Sequence, residues 1–174
     1  MSVNEKKRNI IMIGMAGAGK STTGVVVAKI LAKDFIDGDL EIQKKTGMGL
    51  QKIIDEQGND AFRQIEEEVL CSIETENAVI APGGSAIYYP SVFEHFKKNS
   101  VVVYLHVSLE EIEKRLSNLA TRGVTLKEGQ TIADLYYERL PLYEQFADIT
   151  IETAGLDLEA TVAEIVKKVG EYHV

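Results

Sequence analysis

Gly14-Met15-Ala16-Gly17-Ala18-Gly19-Lys20-Ser21 decides how the rest of this chain is read. The stretch fits Gly-x-x-x-x-Gly-Lys-[Ser/Thr], with the apolar run Asn9–Ile13 before it and a helical pattern over Lys20–Ala32 after it. That strand–loop–helix context is what gives the pattern its meaning. Glycines let the backbone curl until successive N–H groups point inward at phosphate oxygens. The helix N-terminus adds partial positive charge. Lys20 is placed to neutralise β- and γ-phosphate charge, and the Ser21 hydroxyl to ligate Mg²⁺. The expected nucleotide site is therefore Gly14, Ala16, Gly17, Ala18, Gly19, Lys20, Ser21 and Thr22. The loop implies ATP or GTP binding and leaves open what the nucleotide is used for.

Working outward, strand-length apolar runs recur at Asn9–Ile13, Phe35–Ile36 leading to Asp37, Ala78–Ala81, Val101–Val107 and Asp148–Ile151. Val101–Tyr104 is β-branched and apolar on both faces, as an interior parallel strand reads. Helical patterns lie between: Lys20–Ala32, Ile53–Ile73 with a break at Gly58, a helix from a Ser108/Glu111 capping box through Leu116, Thr131–Phe146, and Leu158–Val169. Alternation of this kind predicts an α/β fold in three layers: a central parallel sheet of about five strands with helices on both faces. Strand order does not follow from the sequence.

At 174 residues the chain is expected to form one domain, 1–174, large enough to hold a core without staples. The net charge of −8 argues against general nucleic-acid binding, which needs a basic face. A single cysteine, Cys71, excludes an internal disulfide and a multi-cysteine zinc site, and is expected to be a buried small hydrophobe. His95, His106 and His173 lack metal-site spacing. The basic start is followed by an apolar run that breaks at Gly14, too short to span a membrane, and no cleavable signal is evident. The expectation is a cytoplasmic protein without nucleic-acid or membrane partners, with a monomer favoured.

After the first helix comes Phe35-Ile36-Asp37-Gly38-Asp39. Two aspartates at a strand's C-terminal end face the crevice where α/β proteins bind ligands. One could hold Mg²⁺ and the other orient or deprotonate an acceptor hydroxyl; alternatively Asp39 is the N-cap of a helix beginning at Leu40. Further on stand Ala61-Phe62-Arg63-Gln64-Ile65-Glu66, Ala81-Pro82-Gly83-Gly84-Ser85, the pair Arg115 and Arg122, and Glu138–Ile151, which contains Arg139-Leu140-Pro141-Leu142-Tyr143. In this order and spacing, the blocks resemble the shikimate kinase family over almost the whole chain. The phosphate loop alone is generic; the Phe-x-Asp-x-Asp, Phe-Arg-x-x-Glu and Arg-x-Pro-Leu-Tyr blocks together are much more specific.

The resemblance implies a P-loop kinase fold with a mobile lid at about 118–130 and acceptor-binding helices at about 39–75. It implies ATP and Mg²⁺, and a small-molecule acceptor, shikimate or another hydroxy acid. Asp37 would help place Mg²⁺, and Asp39 would contact an acceptor hydroxyl. Arg63 and Arg139 would bind the acceptor carboxylate beside Gly83, Gly84 and Ser85. Arg115 would lie near adenine, and Arg122, inside the lid, would reach phosphates and substrate. Lys20, Asp39 and Arg122 are the expected catalytic residues.

Independently, arginines at one crevice suit a carboxylate, because the guanidinium fork matches it bidentately. Other readings stay open. Arg63 could pair along its helix with Glu66, Glu67 or Glu68, and Arg139 could serve a helix end near Pro141. The chain also departs from the family at two places. Ser85 stands where a third glycine is usual: either the position needs positive φ and serine strains it, or it needs only an N–H and a hydroxyl enters the pocket. Arg122-Gly123-Val124-Thr125 lacks the proline usual after the lid arginine, which frees φ there. The rivals are a kinase for another hydroxy acid, such as homoserine, and a nucleotide-binding sensor without turnover.

Overall fold

The computed structural model describes residues 8–118, 124, 126–172 and 174. Five strands form one sheet, β1 (Asn9–Ile13), β2 (Asp34–Asp37), β3 (Ala78–Ala81), β4 (Ser100–His106) and β5 (Ile149–Glu152), in the order β2-β3-β1-β4-β5. Every pairing is parallel. The chain winds outward from β1 to β2, returns to β3, then crosses to β4 and β5. The order thus reverses around β1, and a ligand crevice opens at the carboxyl ends of strands at such a reversal. The loop Gly14–Gly19 lies there, directly after β1.

Seven helices accompany the sheet: α1 (Lys20–Ile30), α2 (Gly38–Thr46), α3 (Leu50–Cys71), α4 (Pro90–Phe96), α5 (Leu109–Asn118), α6 (Ile132–Phe146) and α7 (Leu158–Glu171). β1, β3 and most of β4 are fully buried, so the sheet is the centre of the main core. Ile42, Ile53 and Val69 form a second, small cluster between α2 and α3. These two helices therefore carry their own packing beside the crevice.

Several boundaries differ from the sequence-based expectation. Helix α1 stops at Ile30 because Ala32 adopts φ 52, outside the helical region. Helix α3 begins at Leu50, and Gly58, with φ 85 and ψ 168, supplies the expected break inside it. Strand β4 starts one residue earlier and β5 one residue later than the apolar runs suggested, and α7 continues past Val169 to Glu171. Helix α4 was not anticipated; Pro90 at its first turn is its starting signal. Helix α6 runs through Pro141 to Phe146, the end its pattern predicted, and only the alternative of a helix end near Pro141 is not met. The box at Ser108 is half formed: Ser108 Oγ accepts from the Glu111 N–H at 3.4 Å, while the Glu111 side chain turns to Arg115. Cys71 is half-buried against the core rather than buried. No helix among the described residues is long and apolar enough to cross a membrane.

Candidate active site

The loop after β1 is shaped by glycines that have no alternative. Gly14 has φ 150, and a Cβ there would stand 2.8 Å from the Leu105 carbonyl oxygen of β4. Gly17 (φ 80) and Gly19 (φ 91) take left-handed conformations that side chains rarely adopt. Within the loop, the Ala18 N–H donates to the Met15 carbonyl at 3.0 Å. Lys20 Nζ donates to the carbonyls of Gly14 at 2.8 Å and Met15 at 2.7 Å. Burial, reinforced by the Arg139 charge, lowers its pKa to about 8, against the opposing pull of Asp39 and Asp37. An ammonium held this way gains most from an anion. Ser21 and Thr22 are exposed at the start of α1. Arg115 flanks the loop, donating from Nη1 to the Gly17 carbonyl at 3.1 Å and from Nε to Glu111 at 2.8 Å.

Ser21 Oγ donates to Asp37 Oδ2 at 3.1 Å, so the two expected metal ligands meet. Hydroxyl and carboxylate oxygens are hard donors that suit Mg²⁺, which takes few protein ligands and completes its shell with phosphates and water. Asp37 is also the N-cap of α2: its Oδ1 accepts the N–H groups of Asp39 at 3.0 Å and Leu40 at 3.3 Å. The cap is thus Asp37 and not Asp39, whose side chain is left for the crevice. Burial first, then the Asp37 and Glu66 charges, raise the Asp39 pKa to about 6, with Lys20 pulling the other way.

Across the crevice the segment after β3 forms the opposite wall. A Cβ on Gly83 (φ 105) would lie 3.3 Å from Asp39 Oδ1. A Cβ on Gly84 would lie 2.8 Å from Arg139 Nη1 and 3.8 Å from the Ala16 amide nitrogen. The space beside Gly84 is therefore bordered by both the arginine and the phosphate loop. Arg139 is only 6% exposed. Its Nε donates to Tyr88 Oη at 3.3 Å, and its guanidinium sits 5.4 Å from the Tyr88 ring centre. Tyr143 Oη donates to the Gly84 carbonyl at 3.1 Å, and burial pushes this phenol up to about 12.

Arg63 and Arg139 line one cavity of about 320 Å³ together with Glu66, Ser85, Tyr88 and Tyr89. Arg63 is exposed on α3 and forms no ion pair among the described residues, so the expectation of a pair along the helix is not met. Ser85 resolves the two readings of its position: φ is −88 and ψ −9, an ordinary conformation without strain. Its hydroxyl donates to the carboxylate of Glu66. Arg122 and most of the expected lid arginine segment lie outside the described residues. Its described end, Leu126 and Lys127 with Gln130, borders the cavity.

Sequence reasoning did not single out Glu66, Tyr88, Tyr89 or Glu138. Glu138 accepts from Tyr88 Oη at 2.5 Å and from Gln130 Nε2 at 3.1 Å. Glu66 is the last residue of the Phe-Arg-x-x-Glu block, and that was its available signal. The tyrosines carry none, because their value lies in contacts with α3 and α6.

The family model described as shikimate kinase matches residues 16–170. A shikimate kinase of Francisella tularensis subsp. novicida (strain U112) is 38% identical over 173 residues, covering 97% of this chain and 96% of that protein. Among solved structures, a shikimate kinase from Acinetobacter baumannii in complex with shikimate superposes with TM-score 0.83 at 32% identity, covering 96% of this chain and 95% of that one. One from Aquifex aeolicus gives TM-score 0.81 at 29% identity, over 93% and 96% of the two chains. A family match over most of the chain and a relative 38% identical along nearly its whole length leave one conclusion: this chain belongs to the shikimate kinase family.

Proposed function

We propose that this protein transfers the γ-phosphoryl group of ATP to the 3-hydroxyl of shikimate. The observation that carries the reading is the space beside Gly84, which the Arg139 guanidinium and the phosphate loop both border. A carboxylate held by Arg139 and Arg63 puts the rest of a small acceptor directly against the bound phosphates. Phosphoryl transfer asks a protein mainly for such positioning and for charge neutralisation.

The roles follow from chemistry. Backbone N–H groups of the loop and Lys20 take the phosphates, and Arg115 closes the nucleotide side. Ser21 and Asp37 would hold Mg²⁺, which supplies charge neutralisation between the phosphate oxygens. Asp39 orients the acceptor hydroxyl and, with a pKa near 6, is ionised at neutral pH and able to take its proton. Arg63 and Arg139 clamp the carboxylate, and the family resemblance assigns Arg122 to the phosphates. A Ser85 hydroxyl already committed to Glu66 supports an acceptor with a rigid ring, since it does not project freely into the ring's space. We assign the enzyme to the cytoplasm and its working unit to one chain.

A coupled assay of ADP release with shikimate, homoserine and other hydroxy acids tests the reading. Brisk turnover of shikimate with Mg²⁺ and little without it is expected. Negligible turnover of shikimate beside rapid use of another acid would overturn the choice of acceptor.

A further inference from the structure

Glu138 and Arg139 are neighbours on α6, yet their side chains meet through a third residue, Tyr88, on the single helical turn Ala86–Tyr88 after β3. Tyr88 Oη donates to Glu138 Oε1 at 2.5 Å. Arg139 Nε donates to the same phenol oxygen at 3.3 Å, and the guanidinium lies 5.4 Å from the ring centre. The other carboxylate oxygen, Oε2, accepts from Gln130 Nε2 at 3.1 Å, with Lys127 Nζ 3.7 Å away. Chemistry fixes the direction of each bond. An ionised carboxylate only accepts and a guanidinium only donates, so the one phenol proton goes to Glu138 and a lone pair faces Arg139. Partial burial first, then the Glu138 hydrogen bond, raise the phenol's pKa, so the proton stays in place at neutral pH.

We propose that Tyr88, anchored by Glu138, is a positioning residue that sets which edge of Arg139 meets the acceptor: it takes Nε and leaves the Nη1–Nη2 end for the carboxylate. The inference rests on the reading of Arg139 as a carboxylate binder. A guanidinium offers a carboxylate two bidentate edges, the Nε side and the Nη1–Nη2 end. With Nε engaged the end remains, and Nη1 is the atom that reaches the space beside Gly84. The ring face restrains the guanidinium from a second direction. An acceptor held through the Nε edge would be turned toward Tyr88 instead, and phosphoryl transfer tolerates little such misplacement. Tyr88 is 38% exposed, so packing of the core does not call for a tyrosine there.

The test compares Tyr88→Phe, Tyr88→Leu, Glu138→Ala, Arg139→Lys, and Tyr88→Phe combined with Arg139→Lys. In steady-state kinetics Tyr88→Phe, which keeps the ring and loses the oxygen, should raise the KM for shikimate about fivefold and change the KM for ATP less than about twofold. Tyr88→Leu loses the ring face as well and should cost about tenfold. Glu138→Ala leaves the phenol without its anchor and should cost about threefold. Arg139→Lys removes the guanidinium and its edges, so in that background Tyr88→Phe should cost less than about a further twofold. A direct contact of Tyr88 with the acceptor, or a merely structural role, predicts the full loss in both backgrounds. An unchanged KM in Tyr88→Phe, or the full loss in the Arg139→Lys background, overturns the inference.

A second readout needs no acceptor. The Arg139 Nε–H, assigned in nitrogen-15 NMR spectra by its loss in Arg139→Lys, should exchange with water several-fold faster in Tyr88→Phe, since an N–H exchanges mainly when its hydrogen bond opens. If wild-type protein does not use shikimate, the functional reading fails and the exchange rate alone decides the inference. Unchanged exchange overturns it in either case.

Discussion

The two halves of the crevice are made of different material. The phosphate side is backbone from one short stretch, Gly14–Gly19, plus the first residues of α1, and its shape is set by φ values and one carbonyl contact. The acceptor side is side chains from four places: Asp39 on α2, Arg63 and Glu66 on α3, the glycine pair and Ser85 after β3, and Arg139 and Tyr143 on α6. A backbone site is indifferent to most side chains and, Lys20 apart, needs only its glycines. A side-chain site depends on every group that holds its members in place, so its changes should act on the acceptor and leave the nucleotide alone.

Four experiments would break or sharpen that contrast. The largest effect is expected for Lys20→Met, which should lower turnover roughly 100- to 1,000-fold or more, by analogy with loss of one charge-stabilising donor. Its melting temperature should hold or rise, because a buried ammonium with its pKa lowered to about 8 is a cost to the fold that methionine removes. Retained turnover in the folded variant would break the assignment of the phosphate side. Next, Arg139→Ala should raise the KM for shikimate roughly 10- to 150-fold, the span of a charge-assisted contact, with the KM for ATP nearly unchanged. Arg63→Ala should act in the same direction but less, about three- to tenfold, because its exposed guanidinium is screened by water and salt. A larger loss at Arg63 than at Arg139 would mean that burial does not rank the clamp.

The third measurement is a carbon-13 NMR titration of Asp39 in protein free of Mg²⁺. Its midpoint should lie at about 6. Asp37→Asn should lower that midpoint, as loss of a neighbouring negative charge favours ionisation, and so should Mg²⁺ with nucleotide. A midpoint at the ordinary aspartate value would show that Asp39 is not buried as described. The smallest effect belongs to Glu111→Ala. It frees Arg115 from an exposed pair beside the loop and should change the KM for ATP by about twofold at most.

This division also explains what could be read in the chain beforehand. The phosphate loop and the strand Ala78–Ala81 were legible because both are local: glycine spacing in one, an apolar run in the other. The break at Gly58 was legible for the same reason. The acceptor residues Asp39, Arg63 and Arg139 were found through blocks that resemble a family, since no local rule brings residues that far apart in sequence to one crevice. Tyr88, Tyr89 and Glu138 escaped both routes. Their chemistry exists only once α3, α6 and the segment after β3 are packed together. Helix α4 escaped because it is short, and Pro90 was its one clear marker.

The close approach of Arg139 to Gly84 has a consequence for how the pocket can change over time. With Arg139 Nη1 at 2.8 Å from where a Cβ would stand, position 84 admits no side chain while the arginine keeps its place. The neighbouring position does admit one, at φ −88, with its hydroxyl absorbed by Glu66. Two adjacent residues of one wall are therefore under opposite regimes, one frozen and one open to variation. A lineage or a designer seeking a new acceptor has its nearest freedom at position 85, and any step at 84 must wait for the clamp itself to be rebuilt.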